Sequence, residues 1–164
     1  VEPDGRISDY DLGLWNDEQI EPLKRIVSDC HKHGAKMAIQ IAHAGRKAED
    51  AIDPVSSSAI DFKDGYRVAR ALTTDEVYKM VDKFKASVER AVKAGFDAIE
   101  IHGAHGYLIH QFHSNILNNR EDEFGKRNKP LFHHRCCHRS HGSNPRSYRS
   151  AQYTPLFPHP CKHR

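Results

Sequence analysis

Acidic residues are missing from the last quarter of this 164-residue chain. All 22 Asp and Glu lie at or before Glu123, so residues 124–164 hold nine Lys and Arg and no acid. The first 123 residues carry 16 basic against 22 acidic groups, a formal −6, and the tail carries +9; the overall +3 conceals two different kinds of sequence. Long apolar runs are also absent. Nothing approaches the roughly 18 residues that would span a bilayer, and no basic-then-apolar leader opens the chain. Cysteine is scarce: Cys30 stands apart, while Cys136, Cys137 and Cys161 belong to the tail. One isolated thiol in the well-patterned part suggests a reducing, cytoplasmic setting. There is no initiating methionine either. The chain opens on Val1-Glu-Pro-Asp-Gly, and a fragment of a longer protein is the expectation.

What is present is an alternation of helix-like and strand-like segments, enough for one domain with a core. Residues 1–15 are loop-like. Asn16 with Gln19 reads as a capping box, opening a helix to about His33 with Ile20, Leu23, Ile26, Val27 and Cys30 as its buried stripe. Pro22 falls in its first turn, where a missing N–H is tolerated. Lys36-Met-Ala-Ile-Gln-Ile-Ala42 reads as a continuously buried strand of the kind parallel sheets use. A long loop follows to about Leu72, irregular by its Pro54, Ser56-Ser57-Ser58 and Asp64-Gly65; loops of that length are usually functional or disordered. Thr73 or Thr74 caps the next helix, Thr73-x-x-Glu76 fitting a capping box, with Val77, Met80, Val81, Phe84, Val88, Ala91 and Val92 on its apolar face and Gly95 at its end. Ala98 to Ile101 reads as a second buried strand, and a helix from Tyr107 to about Leu117 completes the pattern. This order indicates βαβ units on a parallel sheet, an α/β fold that is either a barrel or doubly wound.

The tail breaks that pattern. Residues 128–164 show neither helical nor strand periodicity, and translation in a wrong reading frame is the first expectation, disorder the second. Adjacent Cys136 and Cys137 lack the spacing of zinc ligands. The basic charge lacks the aromatic or motif framework of a nucleic-acid binder.

Chemistry concentrates where the strands end, which is where ligands bind in parallel α/β sheets. His102, His105 and Tyr107 emerge after the second strand, and Gly103 and Gly106 permit a tight turn that turns both imidazoles toward one cavity. No metal site is expected: the His-Glu-x-x-His arrangement is absent and further ligands are lacking. Imidazoles can instead donate to an oxygen that gains negative charge, and Tyr107 offers a proton. Substrate-binding and ordinary loop histidines stand level on spacing alone. Gln40 is a polar amide in a strand of Met, Ala and Ile and must find partners, either backbone or ligand. Arg46 and Lys47 follow a strand and a glycine, as an anion site would, but a solvated loop is the favoured reading.

Gln40-Ile-Ala-His-Ala-Gly-Arg-Lys47 together with Glu100-Ile-His-Gly-Ala-His-Gly-Tyr-Leu-Ile-His110 closely resembles the Old Yellow Enzyme family, in its branch of bacterial NADPH dehydrogenases. Gly5-Arg-Ile-Ser-Asp-Tyr-Asp-Leu-Gly-Leu-Trp15, residues 54–59 and Asn119-Arg-Glu-Asp-Glu-Phe-Gly125 add to the match, which covers about residues 1–127. The resemblance implies a partial TIM (β/α)8 barrel of the FMN-linked oxidoreductase type over residues 1–127, followed by the irregular tail at 128–164. It implies FMN as cofactor, NADPH as hydride donor and an α,β-unsaturated carbonyl compound as substrate, its C=C bond being reduced. By the same resemblance Gln40 contacts the flavin, His102 and His105 hold the substrate carbonyl oxygen, and Tyr107 donates the proton. Relatives are dimers or tetramers; neither nucleic acid nor membrane is implied as a partner. A complete barrel takes about 250 residues, so the chain supplies roughly half of one. The dienoyl-CoA reductase branch shares the histidine segment but needs iron–sulfur cysteines, for which no pattern is present. The alternative is a non-catalytic remnant, or a basic metal- or nucleic-acid-binding product.

Overall fold

Asn16 starts the first helix. In the computed structural model, which describes residues 1–61, 67–125, Phe132 and Arg135, its side chain accepts the Gln19 N–H and the Gln19 side chain returns to the Asn16 N–H. A single 3-10 turn, Asp17–Gln19, leads into α1 (Ile20–Lys32). Of the expected stripe, Val27 is buried, Ile20, Leu23 and Cys30 are half-buried, and Ile26 is 53% exposed. The stripe is narrower than the spacing suggests because α1 packs chiefly on one neighbour, the long helix that follows; Ile26 faces the cleft beside it.

Strand β1 (Ala38–Ile41) comes next. A continuously buried strand was the expectation, and the structure corrects it: Ala38 and Gln40 are exposed, Ile39 and Ile41 turn inward. A strand alternates faces, and one face of this sheet is covered by the apolar core while the other lies open.

The described residues of the long loop are more ordered than their Pro and Ser content suggests, while Asp64-Gly65 lies outside the described residues. Val55–Ser56 (β2) and Arg70–Ala71 (β3) pair in parallel, with the Arg70 N–H on Pro54 O at 2.8 Å and the Leu72 N–H on Ser56 O at 3.0 Å. Ser56, Ser57 and Ser58 are all buried. Ser57 Oγ lies 2.9 Å from both Gln111 O and Leu117 O, to either of which its one O–H donates, so the serine run ties this segment to the last helix.

Helix α2 (Thr74–Ala94) follows the sequence closely. Thr73 and Glu76 form the capping box, and Gly95 ends the helix at φ +90°, a left-handed conformation that a side chain would resist. Val77, Met80, Val81, Phe84, Val88 and Ala91 are buried and form the centre of the core; Val92, at the margin, is 36% exposed. Each fully buried aliphatic or aromatic side chain contributes about 1.5–3 kcal/mol against ordering entropy.

Strand β4 (Ala98–Ile101) returns parallel to β1, with Ala38 opposite Ala98 and Gln40 opposite Glu100. The β1–α2–β4 crossover is the βαβ unit that the alternation implied. Asp97 fastens its start: its carboxylate accepts the Met37 N–H and the Lys36 ammonium, both at 2.9 Å, and lies 2.6 Å from His31 Nε2. The Met37 amide, then the lysine and histidine, hold that carboxyl well below the usual carboxylate range. Helix α3 (Leu108–His113) is shorter than a run to Leu117. Ser114 Oγ accepts the Leu117 N–H at 3.2 Å, replacing a helical carbonyl, and the chain turns away.

The expected disorder or frame shift of the tail lies outside the described residues, Phe132 and Arg135 excepted. Phe132 is buried and stacks on Phe112, centroids 4.4 Å apart at 26°. Arg135 lies over the Tyr78 ring, 5.0 Å from its centroid. Among the described residues no helix is long and apolar enough to cross a membrane.

Candidate active site

The carboxyl ends of β1 and β4 hold the chemistry. The His102 N–H donates to Ile41 O at 3.0 Å, extending the strand pairing by one residue and setting His102 at the end of the sheet. Its ring lies 5.2 Å from that of His105 at 47°, and 5.1 Å from that of Tyr107 at 62°. The three rings singled out in the sequence thus form one cluster. His102 is buried, and burial first, then the neighbouring His105, keeps its imidazole below the usual histidine range and therefore neutral at neutral pH. His105 is exposed and sits at φ +55°, left-handed for a residue with a side chain. Tyr107, half-buried, occupies the N-cap of α3.

Gln40 lies one strand away, on the open face. Its Nε2 donates to Glu100 Oε2 at 3.0 Å, so its partner is the residue opposite in register rather than backbone. Ala38 and Ala98, also paired in register, leave that face flat beside the amide. Among the described residues no group of three or more His, Cys, Asp or Glu is placed to hold a metal ion.

The segment after β1 departs from the solvated loop that spacing favoured. Arg46 is buried and Lys47 half-buried. Gly45, at φ +62°, turns the chain back under α3, and a Cβ there would meet the Gln111 amide at 2.5 Å. Lys47 Nζ reaches His105 O at 2.8 Å and lies 5.6 Å from the Tyr107 ring centroid.

Three residues beyond the sequence reading support the site. His43 is fully buried; its Nδ1 accepts the Gly45 N–H at 2.9 Å, which leaves Nε2–H to donate to Glu2 Oε1 at 2.7 Å. Burial pushes the His43 pKa down despite that carboxylate. Its carbonyl accepts the Leu108 N–H at 3.0 Å, joining the flank of β1 to α3. Glu2 also pairs with Lys83; burial raises its pKa, but the His43 and Lys83 hydrogen bonds outweigh that and bring it to about 2. Gln111, fully buried, donates to Gly106 O at 2.7 Å and Ala44 O at 3.3 Å. A polar residue on an otherwise apolar helix face was the signal for Gln111. Nothing local marks Glu2, whose partners are 41 and 81 residues away.

The profile of the NADH:flavin oxidoreductase / NADH oxidase family matches residues 1–130. The chain belongs to this family. A family relative, the NADPH dehydrogenase of Listeria monocytogenes serotype 4a (strain HCC23), is 54% identical over 125 residues, covering 76% of this chain and 37% of that protein. The NADPH dehydrogenase of Clostridium acetobutylicum (strain ATCC 824) is 49% identical over 126 residues, with the same coverage. Among solved structures, morphinone reductase superposes with a TM-score of 0.81 at 29% identity, over 90% of this chain and 46% of that one. The old yellow enzyme homologue from Zymomonas mobilis gives 0.77 at 32% identity, over 87% and 44%. The chain therefore spans just over a third of the length of the curated relatives it matches. Its β1–α2–β4 unit is a section of the family's (β/α)8 barrel, which accounts for the open face of the sheet.

Proposed function

We propose that this chain carries the substrate-binding and proton-donating side of an FMN-dependent NADPH dehydrogenase that reduces the C=C bond of α,β-unsaturated carbonyl compounds. The supporting observation is the ring cluster of His102, His105 and Tyr107 at the end of β4, beside the exposed amide of Gln40. The residues suit a flavin: Gln40 keeps an amide oxygen and an N–H on a face made flat by Ala38 and Ala98, and a flat heterocycle with donors and acceptors along one edge matches such a surface. When bound, FMN supplies hydride transfer, with NADPH as its reductant. Morphinone reductase, a structural relative, is solved with tetrahydroNAD.

His102 and His105 donate hydrogen bonds to the substrate's carbonyl oxygen. Those bonds strengthen as negative charge builds on that oxygen, so they favour the transition state over the ground state. His102, neutral through burial, is a donor that needs no desolvation of a charge. Tyr107 O–H, one ring away, delivers a proton to the α-carbon, its backbone standing at the N-cap position of α3. Gln40 orients the flavin's polar edge. The setting is cytoplasmic and the working unit a homo-oligomer; the ligands are small molecules, not nucleic acid or membrane. As to the boundary at residue 127, we place the barrel segment before it and the anomalous tail after it.

A second reading has one observation in its favour. Among the described residues β1 and β4 pair only with each other, so each has an open edge. Such edges invite association rather than catalysis, which fits a remnant that keeps the site residues without the activity. Phenols, which present an oxygen to the same histidines, separate the two. Titrating p-hydroxybenzaldehyde into the FMN-loaded chain should give a long-wavelength difference band. Exchange of His102 and His105 for Ala should weaken that binding at least tenfold, the loss of about one hydrogen bond to a charged group. Equal affinity in the double variant removes the role given to the pair.

A further inference from the structure

Lys47 touches three consecutive residues of the loop after β4. Its Nζ donates to His105 O at 2.8 Å and stands 5.6 Å from the centroid of the Tyr107 ring. A Cβ placed on Gly106 would come within 3.2 Å of both Lys47 Cε and Nζ, so the side chain lies against the turn itself. That turn is strained, with His105 at φ +55° and Gly106 at φ +75°. A side chain in the left-handed region persists where its surroundings over-determine it. On one side α3 does this: Gln111 Nε2 holds Gly106 O at 2.7 Å, and the Gly106 N–H goes to His110 Nδ1 at 2.7 Å. Lys47 reaches in from a separate segment, the flank of β1, 58 residues earlier in the chain. Two successive carbonyls are thus held by two side chains from two different elements.

We propose that Lys47 is a positioning residue: it fixes His105 and Tyr107 relative to His102, and so sets the spacing of the groups that receive the substrate. The proposal rests on the reading of that cluster as a substrate site. An ammonium bonded to a carbonyl is a charge-assisted donor, and over a phenol ring it adds a cation–π attraction. Arginine keeps both interactions. Methionine keeps only the apolar stem, which packs along the turn.

The test uses the 164-residue chain with Lys47→Met and Lys47→Arg. Amide hydrogen exchange at Tyr107, whose N–H closes the turn onto Ala104 O at 3.1 Å, needs neither flavin nor substrate. Lys47→Met should accelerate it about tenfold, the loss of one charge-assisted bond at a half-exposed site, with the amides of α2 unchanged. Lys47→Arg should stay within about twofold of the parent. In the FMN-loaded chain, phenol affinity should fall by a similar factor in Lys47→Met and recover in Lys47→Arg. Unchanged exchange in Lys47→Met overturns the proposal, and so does uniform acceleration that includes α2, which marks Lys47 as a general stabiliser. A parent chain that binds no phenol sinks the site reading instead, and the exchange data still decide what Lys47 does.

Discussion

Arg120 should be the most costly single charge to remove from the described part of this chain. Its side chain is 9% exposed. One guanidinium nitrogen donates to Ser57 O at 3.0 Å and to Leu72 O, while Nε reaches Asp122 Oδ1 at 2.9 Å and Nη2 pairs with Asp122 Oδ2. The same group lies 5.8 Å from the Phe112 ring centroid. Arg120 therefore ties the end of β2, the end of β3 and the segment after α3 to one another. Arg120→Ala leaves two loop carbonyls without their donor and Asp122 without its main partner. Breaking a largely buried pair costs about 3–5 kcal/mol, a large share of the 5–15 kcal/mol that a domain typically has. Lysine is the sharper test. Its single ammonium can hold Asp122 or the carbonyls but cannot fork to both, so Arg120→Lys should recover only part of the loss, leaving a deficit of about 2 kcal/mol. Urea denaturation followed by circular dichroism reads both values. An Arg120→Lys chain as stable as the parent would mean that charge alone suffices and that the guanidinium fork contributes nothing.

Two further outcomes follow from the core and from Glu2. Phe84→Ala removes a side chain that is 0% exposed and meets Phe132 edge-on at 6.3 Å; it should cost about 3–5 kcal/mol by the same denaturation assay, and a loss under about 1 kcal/mol would show that the core around α2 is not closed. The Glu2 carboxyl is lowered from 4.5 to about 2, so the folded state holds its charged form more tightly than the unfolded chain does. Its contribution is complete above pH 4.5 and fades as pH falls toward 2. The melting temperature of the parent should drop across that window, and Glu2→Gln should flatten the drop; parallel curves for the two chains would contradict the pairing with His43 and Lys83.

What the sequence disclosed depended on how far apart the partners lie. The capping boxes at Asn16 and Thr73, the αL stop at Gly95 and the apolar face of α2 are written within four residues of each other, and the structure keeps them. His102, His105 and Tyr107 were legible for the same reason: five residues and a turn bring their rings together. The partners that support that cluster were not legible. Lys47 meets His105 across 58 positions, Gln111 meets Ala44 across 67, and Glu2 meets Lys83 across 81. The two-residue strands β2 and β3 carry too little pattern to be seen without their partners. Ile26 misled because helical spacing records which residues could be buried, and only a neighbour decides which of them are.

The visible spectrum of the purified 164-residue chain, mixed with FMN and then desalted, decides whether the chain holds a flavin. Flavin absorbance retained in the visible is expected, with a long-wavelength band when p-hydroxybenzaldehyde is added. Complete loss of flavin on desalting would contradict that expectation: the open face of β1 and β4, with Gln40 upon it, would then hold no cofactor in this chain.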